Sequence, residues 1–202
     1  MNEQELQKTL DEMRDRIHQD VAAGFLDEKE VCNGVIDMLA DQQMPEELLP
    51  HVERLTREAM EAHFLEQASW PAKTDCDRLV AAFSELEQAG IVAREDFSCC
   101  CNCGSSEIRD EMKNVKESGR QVRGFTYYHM QDTEAAVEGL GIYLSYGADQ
   151  EGVAPALEIA REVAATIRRH GLVVDWDGVW GKRIGVRLDW KRKRKPSQPR
   201  AK

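Results

Sequence analysis

The chain has 202 residues, 42% hydrophobic and 32% charged, with a formal net charge of −10. This is a globular balance that excludes collagenous, low-complexity and mostly disordered classes. No apolar run approaches the roughly 18–20 residues of a membrane span, and the acid excess argues against wholesale nucleic-acid binding.

The opening stretch MNEQELQKTLDEMRD lacks the charged-then-apolar layout of a signal. A cytoplasmic location is expected, with the six cysteines as reduced thiols. Residues 1–70 carry 17 acidic and 6 basic side chains, whereas residues 191–202 carry 7 basic and no acidic ones.

The first 66 residues read as three helices. Leu6, Leu10, Met13, Ile17 and Val21 recur at helical spacing behind an Asn2/Glu5 capping box, and Gly24 ends the run. Asp27 and Glu30 cap a second helix with the stripe Val31, Val35, Met38 and Leu39. Pro45 suits a first turn, and Leu48, Val52, Leu55, Ala59 and Ala62 form a third stripe. These narrow stripes suggest a unit that packs on something else, and its acidic faces are a candidate contact surface for a protein partner. His18, His51 and His63 read as surface or boundary residues.

A break at Gln67–Lys73 precedes a helix capped by Thr74 and Asp77, built on Leu79, Val80, Phe83 and Leu86, and ended by Gly90. After Ile91-Val92-Ala93 comes Phe97-Ser98-Cys99-Cys100-Cys101-Asn102-Cys103-Gly104, then a helix that Ser105 or Ser106 would cap. Strand patterns follow at Arg123–Met130, Gly141–Tyr146, Leu172–Trp176 and Arg183–Trp190. The last two form a predicted hairpin around Asp177-Gly178. Between them lie a short helix that Asp132 could cap and a longer one that Pro155 opens.

The expected fold is α+β: an N-terminal three-helix unit (1–66), then a roughly four-stranded, largely antiparallel sheet packed against helices (70–190). The segment 191–202, KRKRKPSQPRAK, reads as a disordered basic tail capable of weak polyanion contact.

Four of the six cysteines fall within five residues, and three accounts compete. Cys100 and Cys103 have the two-residue gap of a zinc knuckle, with Gly104 where such a backbone turns. Further ligands would come from Cys99, Cys76, Cys101 or His129, although adjacent cysteines usually point apart. The expected cofactor is therefore zinc or none. In the second account, Cys103 just before a helix start is a nucleophile activated by the helix's positive end, with His129 as general base and Asp132 or Asp149 orienting it. In the third, the thiols are buried fillers in a partner-binding protein. His129 shares a strand face with Phe125 and Tyr127, where a buried, hydrogen-bonded histidine is the ordinary reading. The motifs of P-loops, dinucleotide folds, zincins and serine hydrolases are missing. The reading is a binding or regulatory protein whose thiol cluster holds zinc, with a cysteine-histidine hydrolase or transferase as the alternative.

One further likeness rests on Trp70-Pro71, Thr74-Asp75, Cys99-Cys100 with Cys103-Gly104, Tyr128-His129 with Gln131-Asp132, Trp176-Asp177-Gly178 and Leu188-Asp189-Trp190. Over about 120 residues this string resembles a bacterial domain-of-unknown-function family. The resemblance implies one domain over 70–190 and carries no activity or catalytic residue with it.

Overall fold

The computed structural model describes residues 3–41 and 48–195. They form two compact units, one of residues up to Ala72 together with the segment from Lys191, the other Lys73–Trp190.

The first unit holds α1 (Glu3–Ala23), α2 (Glu28–Asp41) and α3 (Leu49–Gln67). Gly24 takes φ +81° to end α1. Asp27 and Glu30 exchange backbone N–H bonds of 2.7 and 2.8 Å as a capping box at α2. The proline in the first turn of α3 is Pro50, because that helix starts at Leu49. Asn2 and Pro45 lie outside the described residues.

The three stripes, expected to pack on something else, pack on one another. Met13, Ile17, Val21, Val31, Val35, Leu39, Val52 and Leu55 converge into a core of the unit's own. His63, expected at the surface or a boundary, is buried and meets Trp70 edge-on with ring centroids 5.2 Å apart.

Residues 191–195, expected as the start of a disordered tail, are held against the same unit. The Arg192 guanidinium lies 3.9 Å from the Phe25 ring centroid. Arg194 donates to the carbonyls of Asp20 (3.0 Å), Val21 (2.8 Å) and Leu26 (2.6 Å). The physical reason is the C-terminus of α1: its last carbonyls lack intrahelical donors and carry partial negative charge, which a guanidinium satisfies. Residues 196–202 lie outside the described residues.

The second unit runs α4 (Asp75–Gln88), β1 (Ile91–Arg94), α5 (Cys101–Glu117), β2 (Gly124–Tyr127), α6 (Met130–Val137), β3 (Ile142–Ala148), α7 (Val153–Arg169), β4 (Val173–Asp175) and β5 (Ile184–Arg187). The strands form one five-stranded sheet in the order β1-β2-β3-β5-β4. Among the described residues, only the β1–β2 pair is parallel. The Ile91–Ala93 stretch is thus a fifth strand, too short for alternation to reveal and paired through the helical crossover α5.

The expected Thr74/Asp77 capping box opens α4. The strand expected to reach Met130 stops at Tyr127, so His129 caps α6 instead of sharing a face with Tyr127. Asp132 supports that cap from the third position of α6. Ile108, Met112 and Val115 of α5 pack with Val92, Val122 and Tyr127. That packing fixes the angle at which the start of α5 meets the sheet.

Candidate metal centre

The segment between β1 and α5 is short, bent and fastened. Asp96 and Ser98 have φ +50° and +65°, the left-handed region that non-glycine residues enter at a cost of order 1 kcal/mol or more each. Three bonds hold them there. Phe97 N–H donates to the Tyr128 carbonyl (2.8 Å), Met130 N–H to the Ser98 carbonyl (3.1 Å), and the Thr133 hydroxyl to Asp96 Oδ1 (2.6 Å). Phe97 also meets Tyr127 edge-on with centroids 5.5 Å apart.

This bend lets adjacent cysteines converge. After Ser98 the chain reaches Cys100 in fully extended conformation (φ −156°, ψ 173°) at the N-cap of α5. The sulfurs of Cys99, Cys100 and Cys103 all lie within 4.8 Å of one another. Tetrahedral zinc with Zn–S of about 2.3 Å requires S–S separations of about 3.8 Å, so the trio needs only small side-chain adjustments to close on one ion. Cys101 points elsewhere: it is exposed, and its carbonyl accepts the Ser105 hydroxyl at 2.7 Å. Cys32 and Cys76, the other two, are half-buried and buried and form no disulfide among the described residues. Among the described residues, neither they nor His129 belongs to the converging group.

The helix starts earlier than its serines suggest. Cys103 therefore sits inside the first turn, and Cys100 receives the helix's positive end. Cys100 makes no full capping hydrogen bond, but the amide of Cys103 faces its sulfur. With the Cys103 thiol and the Asn102 amide adding to the effect, its pKa is held below the ordinary thiol value. Cys103 moves the opposite way, pushed up to about 11 because its thiol proton is held by Cys99 and then by Cys100. The thiolate-prone member is Cys100, a correction to the expectation for Cys103.

His129 is engaged separately from the thiols. Its Nδ1 receives the Asp132 amide at 3.3 Å and lies 3.2 Å from Asp132 Oδ2. Its Nε2 lies 3.3 Å from Nη1 of Arg183. Burial first, and then the Arg183 guanidinium, hold its pKa below the ordinary value, while the Asp132 carboxylate opposes them. Both ring nitrogens of His129 are thus engaged by Asp132 and Arg183. Asp132 is 5% exposed and accepts from Arg183 Nη1 (3.1 Å), Arg183 Nη2 (2.5 Å) and the Tyr143 amide (3.3 Å). Sequence reasoning brought Asp132 beside His129 but missed Arg183, which lies 51 residues away from Asp132 in the chain. Asp149 pairs instead with Lys116 at 2.5 Å.

An α+β domain thus carries, on a fastened bend, a cluster of three convergent thiols that could hold a metal ion. The chain itself belongs to a family described as "Domain of unknown function (DUF6891)", whose model matches residues 6–194. The family domain therefore takes in the helical unit and the held segment 191–194, where the expected limits were 70–190. No curated protein and no solved structure matches the chain. Among the described residues, no helix is long and apolar enough to cross a membrane.

Proposed function

We propose that this protein is a metal-binding protein in which Cys99, Cys100 and Cys103 hold one zinc ion. The convergence of the three sulfurs within 4.8 Å carries this reading. Soft thiolates select zinc among the abundant divalent ions. Three protein ligands leave a fourth position for water or an incoming ligand, the arrangement of an open zinc site as distinct from a closed structural one. The helix amides facing Cys100 favour the deprotonated form that coordination needs.

The cysteine-histidine enzyme is less well supported, because Cys103 retains its proton and His129 is committed to Asp132 and Arg183. The tail plays no part in the proposal: Arg192 and Arg194 are spent within the helical unit.

Protein purified without chelator should contain about one zinc per chain. Cobalt substituted for zinc should show thiolate-to-metal charge-transfer absorption of the strength of three sulfurs. Cys100→Ser and Cys103→Ser should each lose the metal, and Cys101→Ser should retain it. Less than about half an equivalent in fully reduced monomer, or equal loss from the Cys101 variant, would overturn the reading.

A further inference from the structure

Beside the first turns of α5 lies a cavity of about 270 Å³ that uses none of the thiols. Its aromatic lining includes Phe125 and Tyr127 of β2, whose rings stack at 6.0 Å with an interplanar angle of 24°. Two glycines make that stack possible. A Cβ at Gly147 would come within 2.5 Å of the Phe125 ring, and one at Gly104 within 2.7 Å of the Tyr127 ring. Tyr146 and Trp180 add two more rings, 6.0 Å apart and edge-on to each other. Trp180 remains 48% exposed, an uncommon position for a tryptophan without a partner surface.

The charged lining has one sign. Arg109, Lys182 and Arg183 line the cavity and no carboxylate does, on a chain of net charge −10. Lys182 is paired with Asp177 at 2.5 Å and Arg183 with Asp132. The Arg109 side chain is exposed and makes neither a hydrogen bond nor an ion pair among the described residues, so its charge is available. Two lining groups, the Tyr146 hydroxyl and Arg183 Nε, are buried with no hydrogen-bond partner among the described residues, and such groups cost stability until something meets them.

From these residues we infer that the cavity is a binding site for a small planar aromatic anion. The aromatic lining takes the ring, and Arg109 takes the carboxylate or an equivalent acidic group. The volume suits one or two fused rings and falls short of the roughly 300–1,000 Å³ of larger cofactor pockets. Stacking gives tolerance for ring type, while the cation demands the negative group.

The probe is 2-naphthoate, titrated calorimetrically into the full chain, with 2-naphthalenemethanol as its neutral counterpart. One site per chain is expected, with a Kd on the order of 0.3 mM. The alcohol should bind about tenfold more weakly, and Arg109→Ala should weaken naphthoate about fivefold while leaving the alcohol unchanged. Trp180→Ala should weaken both, and Arg57→Ala, an exposed arginine on α3, should change neither. Arg109 is exposed and unpaired, so its removal leaves the fold intact, which an unchanged thermal midpoint confirms. Equal affinity for acid and alcohol, an Arg109→Ala variant binding like wild type, or no saturable binding up to about 5 mM would overturn the inference.

Discussion

Asp132→Asn tests how the second unit is held around His129. The substitution preserves shape, so no cavity opens, but it exchanges for an amide a carboxylate to which four N–H groups donate. Arg183 supplies two bonds, of 3.1 and 2.5 Å, and the amides of His129 and Tyr143 supply bonds of 3.1 and 3.3 Å. One face of the new amide is a donor, so at least one of these N–H groups faces another. Removing one partner of a buried ion pair costs about 3–5 kcal/mol. The Arg183 side chain is 27% exposed, which lets water share its charge and puts the expected loss at the low end, about 3 kcal/mol.

With a urea slope of about 1.5 kcal/mol per M, the midpoint should fall by about 2 M. Fluorescence of Trp176, Trp180 and Trp190, all in this unit, reports the transition. Arg183→Met should cost at least as much, because it strands Asp132, which is only 5% exposed. The double variant should then cost clearly less than the two losses together. A loss under about 0.5 kcal/mol for Asp132→Asn, or strict additivity in the double variant, would refute the reasoning.

His129 and His63 are both held below the ordinary histidine pKa, chiefly by burial, so the unfolded chain binds more protons than the folded one as pH falls through about 6.5. Stability should be complete above that pH and decline below it, with a shallower decline in His63→Gln; a flat profile from pH 7 to 5 would contradict this. Arg194→Ala should destabilise the helical unit by about 2 kcal/mol by stranding the α1 carbonyls, read as earlier exposure of Trp70 in denaturant. Gly104→Ala should cost about 1–3 kcal/mol, because its methyl group meets the Tyr127 ring, and should also weaken naphthoate binding. In metal-free protein Cys100 should alkylate faster than Cys103, and zinc should protect both; mass spectrometry of labelled peptides resolves the two sites.

Local signals were legible in the chain wherever a residue acts on its own neighbours. The Thr74/Asp77 and Asp27/Glu30 boxes, the terminating Gly24 and Gly90, and the apolar stripes of α1–α3 all concern groups three or four residues apart, whose geometry one helical turn dictates. The Cys100–Cys103 gap is of the same kind, and it announced the candidate site.

What the tertiary structure decided required residues distant in sequence. Cys99 could join the trio only because Asp96 and Ser98 bend into the left-handed region, and the bonds that hold them there come from Tyr128, Met130 and Thr133. The start of α5 moved from Ser105 to Cys101, which transferred the helix's positive end to Cys100. Arg183 reaches His129 and Asp132 across the sheet, and Arg194 returns to the end of α1 across most of the chain. Periodicity describes which face a side chain occupies within its own element. It carries no information about which buried acceptor a long cationic side chain will find, because that depends on where the fold leaves unpaired carbonyls and carboxylates.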